Sequence, residues 1–189
     1  MNASLLKNVT LTAAFVGLGA VSQLAQADFV GYYAVANWTV IEEGNSSIDL
    51  DNEPTSVTLT SNDVEVDNLN ADFTIAAQAA GMVSFSWAFD TSDAGGAAFD
   101  PFGYLLNGVF SQLSDDSGSD IQSGSVSFSV VANDVFGFRA NSRDGVEGPA
   151  VTTVSNFDAP GNGVPEPGTL ALFGLALAGL ATIRRKHQG

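Results

Sequence analysis

The sequence predicts an all-β fold, an antiparallel β-sandwich with a jelly-roll-like arrangement, and three observations predict it. Several runs alternate apolar and polar residues with a period of two, which is what a half-buried strand requires. Short polar or glycine-bearing breaks separate those runs. The aromatic material for a core sits in the same stretch, with eleven of the thirteen Phe and both Trp between positions 28 and 163.

Taken in order, strands are expected near 37–41, 56–60, 71–77, 82–89, 103–107, 124–131, 135–141 and 150–157. "SVTLTS" sets Val57 and Leu59 against Ser56, Thr58 and Thr60. "MVSFSWAFD" is the clearest run: Val83, Phe85, Trp87 and Phe89 face one way, Ser84, Ser86, Ala88 and Asp90 the other. "SVSFSVV" aligns Val126, Phe128 and Val130, and "VTTVSNF" is β-branched. The breaks "AAG" at 79–81, "AND" at 132–134 and "RDG" at 143–145 carry turn chemistry, and "AND" has the form of a hairpin connection. Two longer polar loops, 91–101 and 114–124, are expected at the rim of the sandwich, where binding sites tend to lie. "AAQAA" is the one helix-like stretch of the body and is too short to form a helix.

The flanks differ from this body. At the N-terminus Lys7 precedes an apolar stretch from about Val9 to Val21, and small residues at Ala25 and Ala27 precede Asp28. That is the layout of a secretory signal peptide over 1–27, cut by signal peptidase between Ala27 and Asp28. The expected organisation is then an ectodomain over 28–157, a linker "DAPGNG" over 158–163 and a C-terminal segment over 164–187. In that segment Pro165 and Pro167 disfavour helix for the residues before them. Thr169–Ile183 is free of charge and suited to a membrane helix, but at 1.5 Å per residue it spans only about 22 Å of a ~30 Å core. Arg184, Arg185 and Lys186 would stay on the cytoplasmic side, which leaves the ectodomain outside the inner membrane.

"VPEPGTLALFGLALAGLATIRRK" resembles the PEP-CTERM sorting signal of Gram-negative bacteria. Val164, Pro165, Glu166, Pro167 and Gly168 match its signature, and Arg184, Arg185 and Lys186 its basic close. The resemblance implies recognition by an exosortase and membership of an exported set linked to exopolysaccharide and biofilm. "GMVSFSWAFDTSDAGGAAFDPFGYLLNG", "SGSVSFSVVANDVFGFRANSRDG" and "SNFDAP" resemble a β-sandwich ectodomain common among such proteins, which implies a fold and no functional residue.

Residue inventory narrows the chemistry of the body. Over 28–163 two arginines face twenty acids, a balance of −18, which repels nucleic acid and anionic lipid. The chain has no Cys, and its one His is His187, so the body lacks the parts of a disulfide framework, a typical zinc site or a Ser-His-Asp system. What remains is carboxylate chemistry. Calcium takes carboxylate and loop carbonyl oxygens, and the candidate ligands are Asp90, Asp93 and Asp100 on one loop and Asp115, Asp116 and Asp120 on the other. The same acids also fit simple solvated loops. Trp87 is expected in the core, and Phe102 is expected to pin "DPFGY" to it; Trp38, Phe99 and Tyr104 fit either core or a sugar-stacking surface.

The leading expectation is an exported, non-enzymatic structural or adhesive component of the cell surface or extracellular matrix, associated with exopolysaccharide. A calcium-supported carbohydrate-binding module is the first alternative, and a carboxylate-based glycoside hydrolase the second.

Overall fold

The computed structural model describes residues 29–161. The expected signal peptide with Ala25, Ala27 and Asp28, the sorting residues Val164–Gly168 and Arg184–Lys186, and the helix expected at 169–183 lie outside the described residues.

Among the described residues, ten strands form two five-stranded antiparallel sheets. The strands are β1 (Thr39–Glu42), β2 (Ser47–Asp49), β3 (Ser56–Thr60), β4 (Leu69–Ala76), β5 (Gly81–Thr91), β6 (Phe102–Leu106), β7 (Val109–Gln112), β8 (Ile121–Val130), β9 (Val135–Ser142) and β10 (Ala150–Asp158). One sheet has the order β1-β4-β9-β6-β7, the other β2-β3-β10-β5-β8. Each of the eight expected strands is present. β2 and β7 are additional, and both are short.

Alternation decides which side of each strand is buried. In β5, Val83, Phe85, Trp87 and Phe89 point inward, while Met82, Ser84, Ser86, Ala88 and Asp90 point out. From the facing sheet come Phe73 of β4 and Phe136, Phe138 and Ala140 of β9. The rings interlock across the gap, with Phe85 edge-on to Phe138 at 4.8 Å and Trp87 against Phe102 at 5.9 Å. Phe102 therefore does pin its loop, and Trp87 and Trp38 are both core residues. β10 keeps its inward phase through a bulge: the register with β5 shifts between Ser155 and Asp158, Asn156 takes φ 51°, and Phe157 turns into the core.

The connections differ from the expected hairpins. The breaks at 79–81, 132–134 and 143–145 join β4 to β5, β8 to β9 and β9 to β10, and in each pair the strands belong to different sheets. These turns carry the chain across the sandwich rather than back along one sheet. A tight hairpin does occur at Asn107-Gly108 between β6 and β7, where φ is 51° and 79°. Positive φ at both central residues is the demand of a type I′ turn, and Asn-Gly meets it.

One piece of core comes from outside the strands. Residues 29–38 form two 3₁₀ turns, Gly31–Tyr33 and Val35–Asn37, and place Phe29, Tyr33, Val35 and Trp38 between the sheets. Phe29 stacks on Phe157 at 4.7 Å, and Trp38 stacks on Phe73 at 4.4 Å while its Nε1 donates to Tyr33 O at 2.9 Å.

The two ends of the sandwich differ. The turns 77–80, 107–108 and 131–134 gather at one end, tied by Ala77 N to Asp134 O and Asn107 Nδ2 to Asp134 Oδ1. The loops 43–46, 61–68, 92–101, 113–120 and 143–149 gather at the other, tied by Ser92 N to Pro149 O, Arg143 N to Phe99 O and Glu65 N to Gly145 O. The chain leaves β10 at the tight-turn end. Its exit, read from sequence as the start of a linker, is packed: Ala159 is buried, and Pro160 O accepts a hydrogen bond from the Tyr33 hydroxyl.

Candidate functional site

The outward face of the β4-β9-β6-β7 sheet carries a groove of about 420 Å³, lined by Asn68, Asn70, Pro101, Phe110, Gln112, Arg139, Asn141 and Arg143. Strand register builds it. Asp72, Arg139, Gly103 and Gln112 lie in one row across four strands, and Asn70 and Asn141 in the next. Arg139, Asn141 and Arg143 follow one another at every second position of β9 and its extension, so all three share the outward phase. Gly103 opens the floor: a Cβ there would stand 2.2 Å from Ser111 O and 2.8 Å from a ring carbon of Phe110. The Phe110 ring therefore lies over β6, with the Arg139 guanidinium 6.0 Å from its centroid.

Both basic residues of the 28–163 body are in this groove, and both are already neutralised. Arg139 binds Asp72 in a fork, Nε to Oδ1 at 2.6 Å and Nη2 to Oδ2 at 2.5 Å. That pairing holds its pKa above the ordinary value, with Glu43 adding to the effect against the opposing cost of burial. Arg143 donates to Asp116 Oδ2 at 2.8 Å, to Gln112 Oε1 at 3.0 Å and to Ala98 O. Asp116 is held below the usual carboxylate range chiefly by that arginine. Glu43 accepts from Asn70 N and Nδ2, and Asn141 Nδ2 donates to Asn70 Oδ1 and Leu69 O. Among the described residues, Arg139 Nη1, Arg143 Nε and Asn141 Oδ1 have no hydrogen-bond partner.

The acidic loops form a rim beside one end of the groove, away from the chain's exit. The six carboxylates expected as calcium ligands do not converge there. Asp90 is on the outward face of the other sheet, opposite Val151 and Ile121. Asp115 is tied to Ser117, whose backbone and hydroxyl hydrogen bonds hold its pKa down, and Asp116 to Arg143. Asp120 is exposed, and its carbonyl receives Thr91 N. Asp100 and Asp93 are buried. Asp100 accepts from Ser61 Oγ at 2.8 Å and Thr91 Oγ1 at 3.0 Å, and burial pushes its pKa up to about 6, with the neighbouring Asp93 charge adding. Asp93 is likewise raised by burial and by the charges of Asp144 and Glu147; its Oδ1 accepts Gly95 N at 2.5 Å, while its Oδ2 is buried without a partner. Among the described residues no group of three or more His, Cys, Asp or Glu is disposed to hold a metal ion.

Sequence reasoning missed the groove, and a signal for it was present. The only two basic residues of the body stand four positions apart on the polar phase of one strand and its extension, with an amide between them.

Among solved structures, the chain is similar to the native structure of a family 35 carbohydrate binding module from Clostridium thermocellum, at 13% identity over 64% of this chain and 92% of that one, with a TM-score of 0.34. It is similar to a family 35 carbohydrate binding module from an environmental isolate at 12%, 65%, 94% and 0.37, and to CBM35 from Paenibacillus barcinonensis at 12%, 67%, 95% and 0.35. Nothing about the site rests on likeness at this level. No curated protein matches the chain. Residues 163–186 match the family model described as the PEP-CTERM protein-sorting motif. The chain thus carries a PEP-CTERM protein-sorting motif, beginning two residues beyond the described β-sandwich.

Proposed function

We propose that the protein is an exported component of the cell surface or extracellular matrix, delivered through an exosortase, with a non-enzymatic adhesive ectodomain that associates with exopolysaccharide. The sorting motif at 163–186 carries this reading. The fold supports a tethered role. A pull from the C-terminal side loads β10 along its length, and β10 is clasped on both edges, by five register pairs to β3 and seven to β5. Such a load must shear two ladders together, which resists extension better than peeling an edge strand. The acidic rim and the groove's open end point away from that attachment.

A calcium-supported carbohydrate module remains a second reading, favoured by the partnerless buried Oδ2 of Asp93. Its mark would be a chelator-sensitive melt that Asp93→Asn abolishes. A hydrolase is less well supported: Asp100, the carboxylate whose pKa is raised to about 6, is sealed beneath Ser61 and Thr91 and lines no groove.

The sorting reading is tested by replacing Pro165, Glu166 and Pro167 with Ala in a host that makes an exosortase. Fractionation with an antibody to the ectodomain should find uncleaved chain held in the envelope. Export and processing indistinguishable from the parent would overturn the assignment. Replacing Arg184, Arg185 and Lys186 with Ser should instead release chain with its tail intact.

A further inference from the structure

We propose that the outward groove bounded by Asn70, Arg139, Asn141, Gln112 and Phe110 is a binding site for a neutral polysaccharide; this rests on the exopolysaccharide association above and gives it a place and a chemistry. Three features point to that ligand class. The first is the lining, which combines planar amide and guanidinium groups with one aromatic ring. Planar groups of this kind offer paired donors and acceptors, which suit the vicinal hydroxyls of a sugar. Phe110 is half-buried, which leaves part of its ring open to the C–H side of a pyranose. Unsatisfied groups remain for the ligand in Arg139 Nη1, Arg143 Nε and Asn141 Oδ1.

The second feature is shape. The groove lies across four strands from β4 to β7, about 14 Å at ~4.8 Å per strand, and its volume of about 420 Å³ falls in the ~300–1,000 Å³ range of ligand sites. It lies on an open sheet face, which suits a segment of a longer polymer rather than a single enclosed ring.

The third feature is charge, and it selects neutral over acidic polymers. Two guanidiniums face three carboxylates, Asp72, Asp116 and Glu43, each within reach of an arginine or of the arginine row. The surrounding body is strongly negative, at −18 over 28–163. A uronate or sulfated chain would meet arginines whose charge is spent and a field that repels it. The same field and the paired arginines exclude nucleic acid.

The test is a binding screen of the full-length chain in detergent against immobilised neutral polysaccharides (dextran, curdlan, galactomannan, starch) and acidic ones (alginate, polygalacturonate, hyaluronan). Retention on at least one neutral polymer is expected, with little dependence on salt. Arg139→Gln would leave Asp72 without its partner and can unfold the sheet, so the deciding variant is Phe110→Ala. It should weaken retention about tenfold, equivalent to ~1.4 kcal/mol, while Ser127→Ala on the opposite sheet leaves it unchanged. Preferential binding to the acidic polymers, falling with salt, would overturn the neutral assignment. No retention of any probe, or Phe110→Ala behaving as the parent, would overturn the groove. If that happens while the Pro165, Glu166 and Pro167 variant still blocks processing, the sorting reading stands without it.

Discussion

The Tyr33 hydroxyl is a small perturbation with a large expected effect, because it joins three parts of the chain. It accepts Gln78 N at 2.9 Å and donates to Pro160 O at 2.9 Å, so the N-terminal plug, the β4–β5 turn and the exit of β10 meet at one oxygen. The residue is fully buried, and burial raises its pKa. Tyr33→Phe keeps the ring contacts with Phe136 and Phe157 and removes both hydrogen bonds. Each is worth about 0.5–1.5 kcal/mol net, and more where the abandoned partner stays dry. Gln78 is exposed and Pro160 half-buried, so water can reach both partners. The expected loss is therefore about 1–3 kcal/mol in total, or roughly 4–12 °C in Tm for a body of this size. Thermal unfolding followed by near-ultraviolet circular dichroism reads the loss, and amide exchange at Gln78 shows where it falls. A Tyr33→Phe chain that melts within about 0.5 kcal/mol of the parent would refute the idea that this hydroxyl clamps the tail exit to the core.

Trp38→Ala should cost about 3–5 kcal/mol, because it removes the ring stacked on the neighbouring Phe73 and Phe138; equilibrium denaturation measures it, and a loss under 1 kcal/mol would return Trp38 to the surface. Stability should also depend on pH through Asp100. Its folded pKa of about 6 lies above the ordinary 3.8, so the folded state holds the proton more tightly and stability falls as pH rises through that window, by about 2–3 kcal/mol. Asp115, Asp116 and Asp134, held below the usual range by their hydrogen bonds, act in the opposite sense and lose their contribution at lower pH. Tm should therefore rise as pH falls from 7 to about 4 and drop below that, and Asp100→Asn should flatten the upper part of that profile; an unchanged profile would remove Asp100 as its cause.

What the sequence made legible was whatever alternates. β3, β5 and β8 carry period-two runs, and the apolar faces read from those runs are the ones turned to the core. β2 and β7, of three and four residues, are too short for a period to register, though Asn107-Gly108 marks the hairpin that makes β7. Residues 29–38 escaped for a different reason. Their aromatics reach the core through 3₁₀ turns, where no strand or helix period applies. Turn chemistry at 132–134 announced a reversal but could not say whether the next strand joins the same sheet. The groove was hidden because pairing across β4, β9, β6 and β7, not proximity in sequence, brings Asn70, Arg139 and Gln112 together. Asp93 and Asp100 were visible as loop acids, and only their burial distinguishes them from Asp115 and Asp116.

An intact mass of the chain recovered from the envelope of an exosortase-bearing host addresses export and sorting at both ends of the molecule at once. The expected species begins at Asp28 and ends near Pro165–Pro167, with the β-sandwich between. A species of 19.5 kDa, running from Met1 to Gly189, would contradict both the signal peptide and the action of the sorting motif.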